Sequence, residues 1–323
     1  MWRSAADAEA PVNAGASARW LQRRLEAAAA DLLQLAEGVE DEFTTPLGEP
    51  SLTAPDSVSW RVFKNPVALL IGGIAAVILE LAEPRVRTGV WEHTSFRERP
   101  LERLRRTGHA TMMTVYGARS RAEAMIERVA RMHQRVAGVT ADGMAYSATD
   151  PELLGWVQAT ACFGFVEAYH VYVHPLSSVE RDGFFVEARL SAQRYGVIAA
   201  PDSQAALDAL FDTMRSKLEA SDIVPEFLHI MRRMPALPWP LRPLQSLFVR
   251  AAVQITPAWV RERLGLDAHW QLRSWQRSLV RHAAQAADRL ILPTSPPVQA
   301  CRRLGLPDDY LFRPARPTAA SCR

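Results

Sequence analysis

The sequence predicts an all-α protein built as a single large helical domain, and three observations carry that prediction. Apolar residues recur at steps of three and four through most of the chain from Pro66 onward. Prolines, glycines and capping residues fall at the ends of those periodic runs. No alternating apolar and polar run is bounded by turn residues, and no Asn-Gly pair marks a hairpin. At 323 residues the chain is long enough to bury a sizeable core.

The first fifteen or so residues read as disordered. Ser17 to Val39 reads as an amphipathic helix, and a loop rich in Pro, Thr and Gly runs on to about Val58. Pro66 suits the first turn of an apolar helix that Pro84 ends. Pro100 opens a helix over Leu101 to Tyr116, closed by Gly117; Ser120 is expected to cap another that runs to Val136 before Gly138. Thr149 and Glu152 have capping-box spacing with Asp150 as the alternative cap, and Pro151 starts a helix to about Tyr172. Further helices are expected over Ser178 to Tyr195, Ala205 to Glu219, Pro225 to Met234, Pro240 to Ile255, Pro257 to Leu264 and Ala268 to Ile291. The Pro-rich tail after Leu292 reads as a wrap or a loose end.

Composition excludes several classes. The net charge is only +3, Lys64 and Lys217 are the only lysines, and the arginines read as interleaved with acids, so nucleic acid is not an expected partner. Cys162, Cys301 and Cys322 have no CxxC spacing, which indicates neither a disulfide framework nor a zinc site and fits a reducing compartment. With no apolar core in the N-terminal residues, a cytoplasmic location is expected. The run Val67 to Leu79 is too short for a bilayer, which needs about 20 residues, so no transmembrane segment is expected. Contact with a membrane surface stays open, and the sequence does not set the oligomeric state. No GxSxG, dinucleotide-binding or P-loop glycine pattern appears, and Gly72 and Gly73 are better explained by close helix packing than by phosphate.

Three successive helices nevertheless turn polar side chains inward. Ala122, Met125, Ile126, Val129, His133 and Val136 share one stripe, so His133 points to the core, as a satisfied core histidine or as a metal ligand. Arg103, Thr107, Ala110 and Thr114 form a small, polar second face on the preceding helix, with Arg106 close to it. Gln158 shares an inward stripe with Leu154, Ala161 and Phe165, and its amide needs partners there. Together they predict a polar pocket inside a helical core.

The ordered elements "NPVALLIGG", "EPRVRTGV", "RLRRT", "VYG", "HQRVAG", "YSATDPELLGWV" and "HPLSSVE" make residues 65–196 resemble the MpaB-type oxygenases, which share a catalytic domain with the rubber oxygenase, latex clearing protein. On that resemblance, residues 59–292 form the catalytic domain, 1–58 an N-terminal tail, helix and loop, and 293–323 a C-terminal extension. It implies a globin-like core, haem b with dioxygen as co-substrate, and oxidative cleavage of a double bond in a small apolar, isoprenoid-like substrate. It makes His133 the axial iron ligand, with its second ring nitrogen donating to a carbonyl or carboxylate. It sets Arg103 and Thr107 against the haem, with Arg106 as a further catalytic position and Gln158 as a further cofactor contact. Two positions depart from the family pattern. Arg106 stands where the rubber oxygenase has a lysine able to ligate iron, which arginine does poorly, and Gln158 stands where many members have histidine. Glu92, beside His93, is the carboxylate considered as a base.

Two rival readings remain. Glu167 with His170 and Glu226 with His229 are Glu-x-x-His pairs, the mark of a di-iron carboxylate site in a helical bundle. A non-catalytic helical protein that binds haem or an apolar ligand is the other.

Overall fold

Asn65 fixes the start of the apolar helix, and through it the centre of the fold. The computed structural model describes residues 42–313 apart from 238 and 267; the expected helix over Ser17 to Val39 lies outside them. After α1 (Val58–Phe63), helix α2 (Pro66–Ala82) begins where the Asn65 carbonyl oxygen accepts from the Val67 and Ala68 amides at 3.1 and 2.9 Å. The other end of the same buried side chain donates to Ala284 O and Asp288 Oδ1, so a single residue caps one helix and ties it to the end of another. Lys64 completes the joint with a buried ion pair to Asp288 at 2.8 Å.

Helix α2 is apolar nearly all round, and it is buried accordingly. It crosses α6 (Pro151–Tyr172) backbone to backbone at Gly72 and Gly164, the close packing its glycines predict. A Cβ on Gly164 would stand 2.2 Å from the Gly72 carbonyl oxygen. The Trp156 indole donates to Leu79 O on the same crossing. Between them lie α3 (Pro84–His93), α4 (Pro100–Tyr116) and α5 (Arg119–His133). No described helix is long and apolar enough to cross a membrane alone; α2 and α3 pass the test together but meet at 112°.

Helix α7 (Ser178–Arg194) packs on α1 and α6, and α8 (Gln204–Met214), α9 (Ile223–Arg233), α10 (Arg242–Ile255), α11 (Ala258–Arg263), α12 (Ser274–Ala287) and α13 (Pro296–Arg303) follow. The protein is all-α, and among the described residues the one exception is a two-stranded hairpin, β1 (Ala137–Val139) paired antiparallel with β2 (Ala145–Ser147).

That hairpin is unexpected from the sequence. Its turn uses Asp142-Gly143, with Gly143 at φ 82°, and it removes residues 134–136 from the end of α5. Ser120 is not a cap: α5 starts at Arg119, and the Glu49 carboxylate takes the Ser120 amide and hydroxyl at 2.6 and 2.9 Å. At α6 the cap is Asp150, because Glu152 is drawn away to Arg85 and Lys217. The helix expected over Ala268 to Ile291 shortens to α12, since Arg250 and Gln254 side chains bind the backbone of Gln271 and Leu272. Beyond Leu292 the chain wraps back onto the core as α13, most of whose residues are buried.

Candidate functional site

The small, polar face of α4 lines a cavity of about 230 Å³. Thr107, Ala110, Thr111 and Thr114 repeat at helical spacing along one wall, with Thr107 at the exposed mouth. Gln158, Ala161, Cys162 and Phe165 of α6 face them, and Phe184, Ala188 and Ser191 of α7 close the side. The lining is mostly apolar. Most of its polar groups are occupied: Glu187 holds the first turn of α1 through the Val58 and Ser59 amides and the Ser59 hydroxyl. Thr114 donates to Ala110 O and meets the Tyr195 hydroxyl at 3.2 Å.

Besides the Thr107 hydroxyl at the mouth, two further polar atoms of the lining are left for a guest. Thr53 Oγ1 is buried without a partner. Gln158 donates from Nε2 to Cys162 Sγ at 3.3 Å, and its carbonyl oxygen has no protein partner among the described residues. Burial pushes the Cys162 thiol up to about 12, so it stays un-ionised and serves as an apolar wall rather than a nucleophile.

One turn back along α4 from Thr107, Arg103 organises a second group. It is partly buried and makes no side-chain hydrogen bond or ion pair among the described residues. Burial pushes its guanidinium below the usual range, against the pull of Glu80. Its charge acts on Glu80 of α2, whose carboxyl burial raises to about 7, and on His133 at the end of α5. Burial first, and Arg103 second, lower His133, so the imidazole is neutral near neutral pH. His133 Nδ1 is buried and has no partner. The acceptor expected behind the ring is therefore missing: neither ring nitrogen is hydrogen-bonded among the described residues.

A family model described as ER-bound oxygenase mpaB/B'/Rubber oxygenase, catalytic domain, matches residues 60–289. The chain belongs to this oxygenase family. Its matched region takes in α4, α6 and α7 of the cavity and the helices of the Arg103 group, and an oxygenase uses dioxygen. An uncharacterized protein of Mycobacterium bovis and one of Mycobacterium tuberculosis are each 27% identical to it over 180 residues, which is 54% of this chain and 71% of theirs. No solved structure gives a significant match.

In this mpaB/rubber oxygenase domain the residues expected at the site separate into two places. Thr107 and Gln158 share the cavity, while His133 lies with Glu80 in the field of Arg103. Arg106 lines neither; it is exposed, with Nη2 3.5 Å from Ser95 Oγ, and touches the second group only through its charge on Arg103. Glu92 and His93 are exposed as well and both contact the Tyr146 hydroxyl under the hairpin, which removes Glu92 as a base at the cavity.

The di-iron reading fails on its ligands. Glu167 is held by Arg181 at 2.8 Å, and Glu226 is taken by both arms of Arg97 at 2.8 Å. His170 Nδ1 accepts the Leu176 amide, and His229 is exposed. Among the described residues no group of three or more His, Cys, Asp or Glu side chains is placed to hold a metal. Sequence reasoning missed Glu80, although it is the only charged side chain in the 17 residues of α2. Thr53 sits in a loop and gave no signal.

Proposed function

We propose that this oxygenase domain works with haem b, held through His133, on a small apolar unsaturated substrate of isoprenoid type. One observation carries the reading: among the described residues, a neutral imidazole with a buried, unpartnered nitrogen stands within the field of a partly buried cation that forms no ion pair. A buried polar atom without a partner costs about 1–3 kcal/mol, and an unpaired buried charge more. A group carrying both a metal and carboxylates relieves the two deficits at once. The residues fit haem in that sense: His133 would hold its iron and Arg103 would pair with its carboxylates; a globin-like arrangement of helices round the group and a cytoplasmic location are part of the reading. Bound there, haem would supply the iron that activates dioxygen.

The chain's own residues would do the rest. Phe165, Phe184 and Ala161 keep water from an apolar guest, and Thr107 offers a hydroxyl at the mouth. The Gln158 carbonyl and the Thr53 hydroxyl orient whatever polar atom the guest carries. Cleaving a carbon–carbon double bond with dioxygen leaves one oxygen atom on each carbonyl product, so no outside reductant is consumed.

The test is reconstitution with haem b. A Soret band is expected in the wild type, lost in His133→Ala while helical circular dichroism is retained, with weaker haem retention in Arg103→Ala. Equal haem binding by His133→Ala, or none by the wild type, would overturn the assignment. Oxygen uptake with a panel of isoprenoid and other unsaturated lipids then separates an oxygenase from a haem carrier.

A further inference from the structure

We propose that the guest of the cavity is an unsaturated alcohol of about eight to ten carbons, whose hydroxyl is selected because the wall offers it acceptors. This rests on the reading of the cavity as the substrate's place, and not on haem. The double bond comes from the reaction proposed above; the hydroxyl and the length come from the wall.

The lining carries several hydroxyls, but most of their protons are spent. Thr111 donates to Thr107 O at 3.0 Å, Thr114 to Ala110 O at 2.8 Å and Ser191 to Ala188 O at 3.0 Å. Each bond runs back to the preceding turn of the same helix, so what these oxygens offer a guest is a lone pair. Ser59 gives its proton to Glu187 at 2.6 Å, and the Tyr195 hydroxyl lies 3.2 Å from Thr114, whose own proton is already committed. Gln158 continues the pattern: its amide nitrogen turns to Cys162 Sγ at 3.3 Å and leaves the carbonyl oxygen for the guest. The Thr53 and Thr107 hydroxyls, which no bond fixes among the described residues, can turn either way.

A ketone or an ether, which can only accept, would set lone pairs against lone pairs. A hydroxyl supplies the missing proton and can still accept from Thr53 or Thr107. An ammonium would supply protons too, and Glu187 is the one acid of the wall. Both of its oxygens, however, already hold α1 through Val58 and Ser59, and a charge half-paired in a mostly apolar lining is costly. The carbonyl ends that double-bond cleavage leaves have no proton to give, so this wall releases them more readily than it takes up the alcohol.

Volume sets the length. An apolar cavity of about 150 Å³ holds benzene, so one of about 230 Å³ holds about nine heavy atoms, a chain of about eight carbons with its oxygen. The mouth at Thr107 leaves room for slightly more. Ala110, Ala161 and Ala188, one from each of α4, α6 and α7, make that space.

The test is calorimetric titration of the full-length protein, with and without haem b, by primary alcohols from butanol to dodecanol, by heptyl methyl ether, which matches octanol in size, and by octylamine. Affinity is expected to rise about fourfold per methylene up to octanol or decanol and then level off. Octanol should bind about fivefold more tightly than the ether. Gln158→Met and Thr111→Val should each narrow that preference to about twofold. Ala188→Leu, which fills the wall, should move the levelling point to alcohols shorter by about three carbons. Equal affinity for octanol and the ether, tighter binding of octylamine, affinity that climbs unbroken to dodecanol, or a preference that survives both polar substitutions overturns the proposal. So does a wild type that binds none of these probes. The Soret band is read separately: its absence would sink the haem assignment and leave these preferences standing.

Discussion

Glu80 couples the folding of the chain to pH. Its carboxyl is raised to about 7 because burial on α2 penalises the charged form more than Arg103 favours it. The folded chain therefore holds a proton that the unfolded chain has already released, and stability falls as pH rises from the ordinary carboxylate range through about 7. Glu80→Gln, neutral throughout, should be more stable than the wild type by about 2 kcal/mol near pH 8 and nearly equal to it near pH 5. Urea midpoints at the two pH values check it; a gain of the same size at both would mean that ionisation is not the cause. Single residues of this kind are unevenly legible. His133 and Gln158 were found because a polar residue on an apolar stripe breaks a periodic pattern. Glu80 breaks the same pattern, but near the end of its helix, where a charge usually reaches solvent. The fold denies it that exit by burying the carboxyl in the field of Arg103, and no local feature of the sequence says so.

At the scale of elements, two glycines of α6 give opposite expectations. An added Cβ at Gly164 meets the Gly72 carbonyl at 2.2 Å and the Ala76 amide nitrogen at 3.1 Å, both backbone atoms that cannot rotate away. At Gly155 nothing lies within 4 Å. Gly164→Ala should cost about 2–4 kcal/mol by forcing α2 and α6 apart. Gly155→Ala should add up to about 1 kcal/mol of stability, since alanine is the better helix former. Denaturant titration of both variants checks the pair; equal effects would mean that the crossing is not so close. Helix starts were legible because Pro66, Pro100 and Pro151 each occupy a first turn that tolerates the missing amide proton. Caps supplied from afar were not: the start of α5 depends on Glu49, about 70 residues earlier in the chain. The hairpin carried a readable Asp-Gly turn, but three-residue strands are too short to show alternation.

At the scale of the molecule, Arg303 joins the two ends of the described chain. It is 1% exposed and donates to Phe43 O at 2.8 Å, Glu49 O at 2.9 Å and the Ser51 hydroxyl at 2.6 Å, while its own carbonyl accepts from Gly48. Burial pushes its guanidinium down to about 10, still charged at neutral pH. The tail that read as a wrap thus anchors residues 43–51, and the next two residues, Leu52 and Thr53, line the cavity. This loop has no apolar periodicity of its own; Arg303 satisfies three of its acceptors at once, beside the bonds of Glu49 to Ser120, Pro50 O to the Arg119 amide and Ser51 to Tyr116 O. Arg303→Met keeps the volume of the side chain but leaves those acceptors buried without donors, a loss of about 3–5 kcal/mol. Hydrogen exchange in the variant should rise together over residues 43–53 and 296–304, because each segment holds the other, while α2 and α6 stay protected. Loss of protection confined to α13 would mean that the N-terminal segment is held by its own packing, and that the cavity wall does not depend on this clamp.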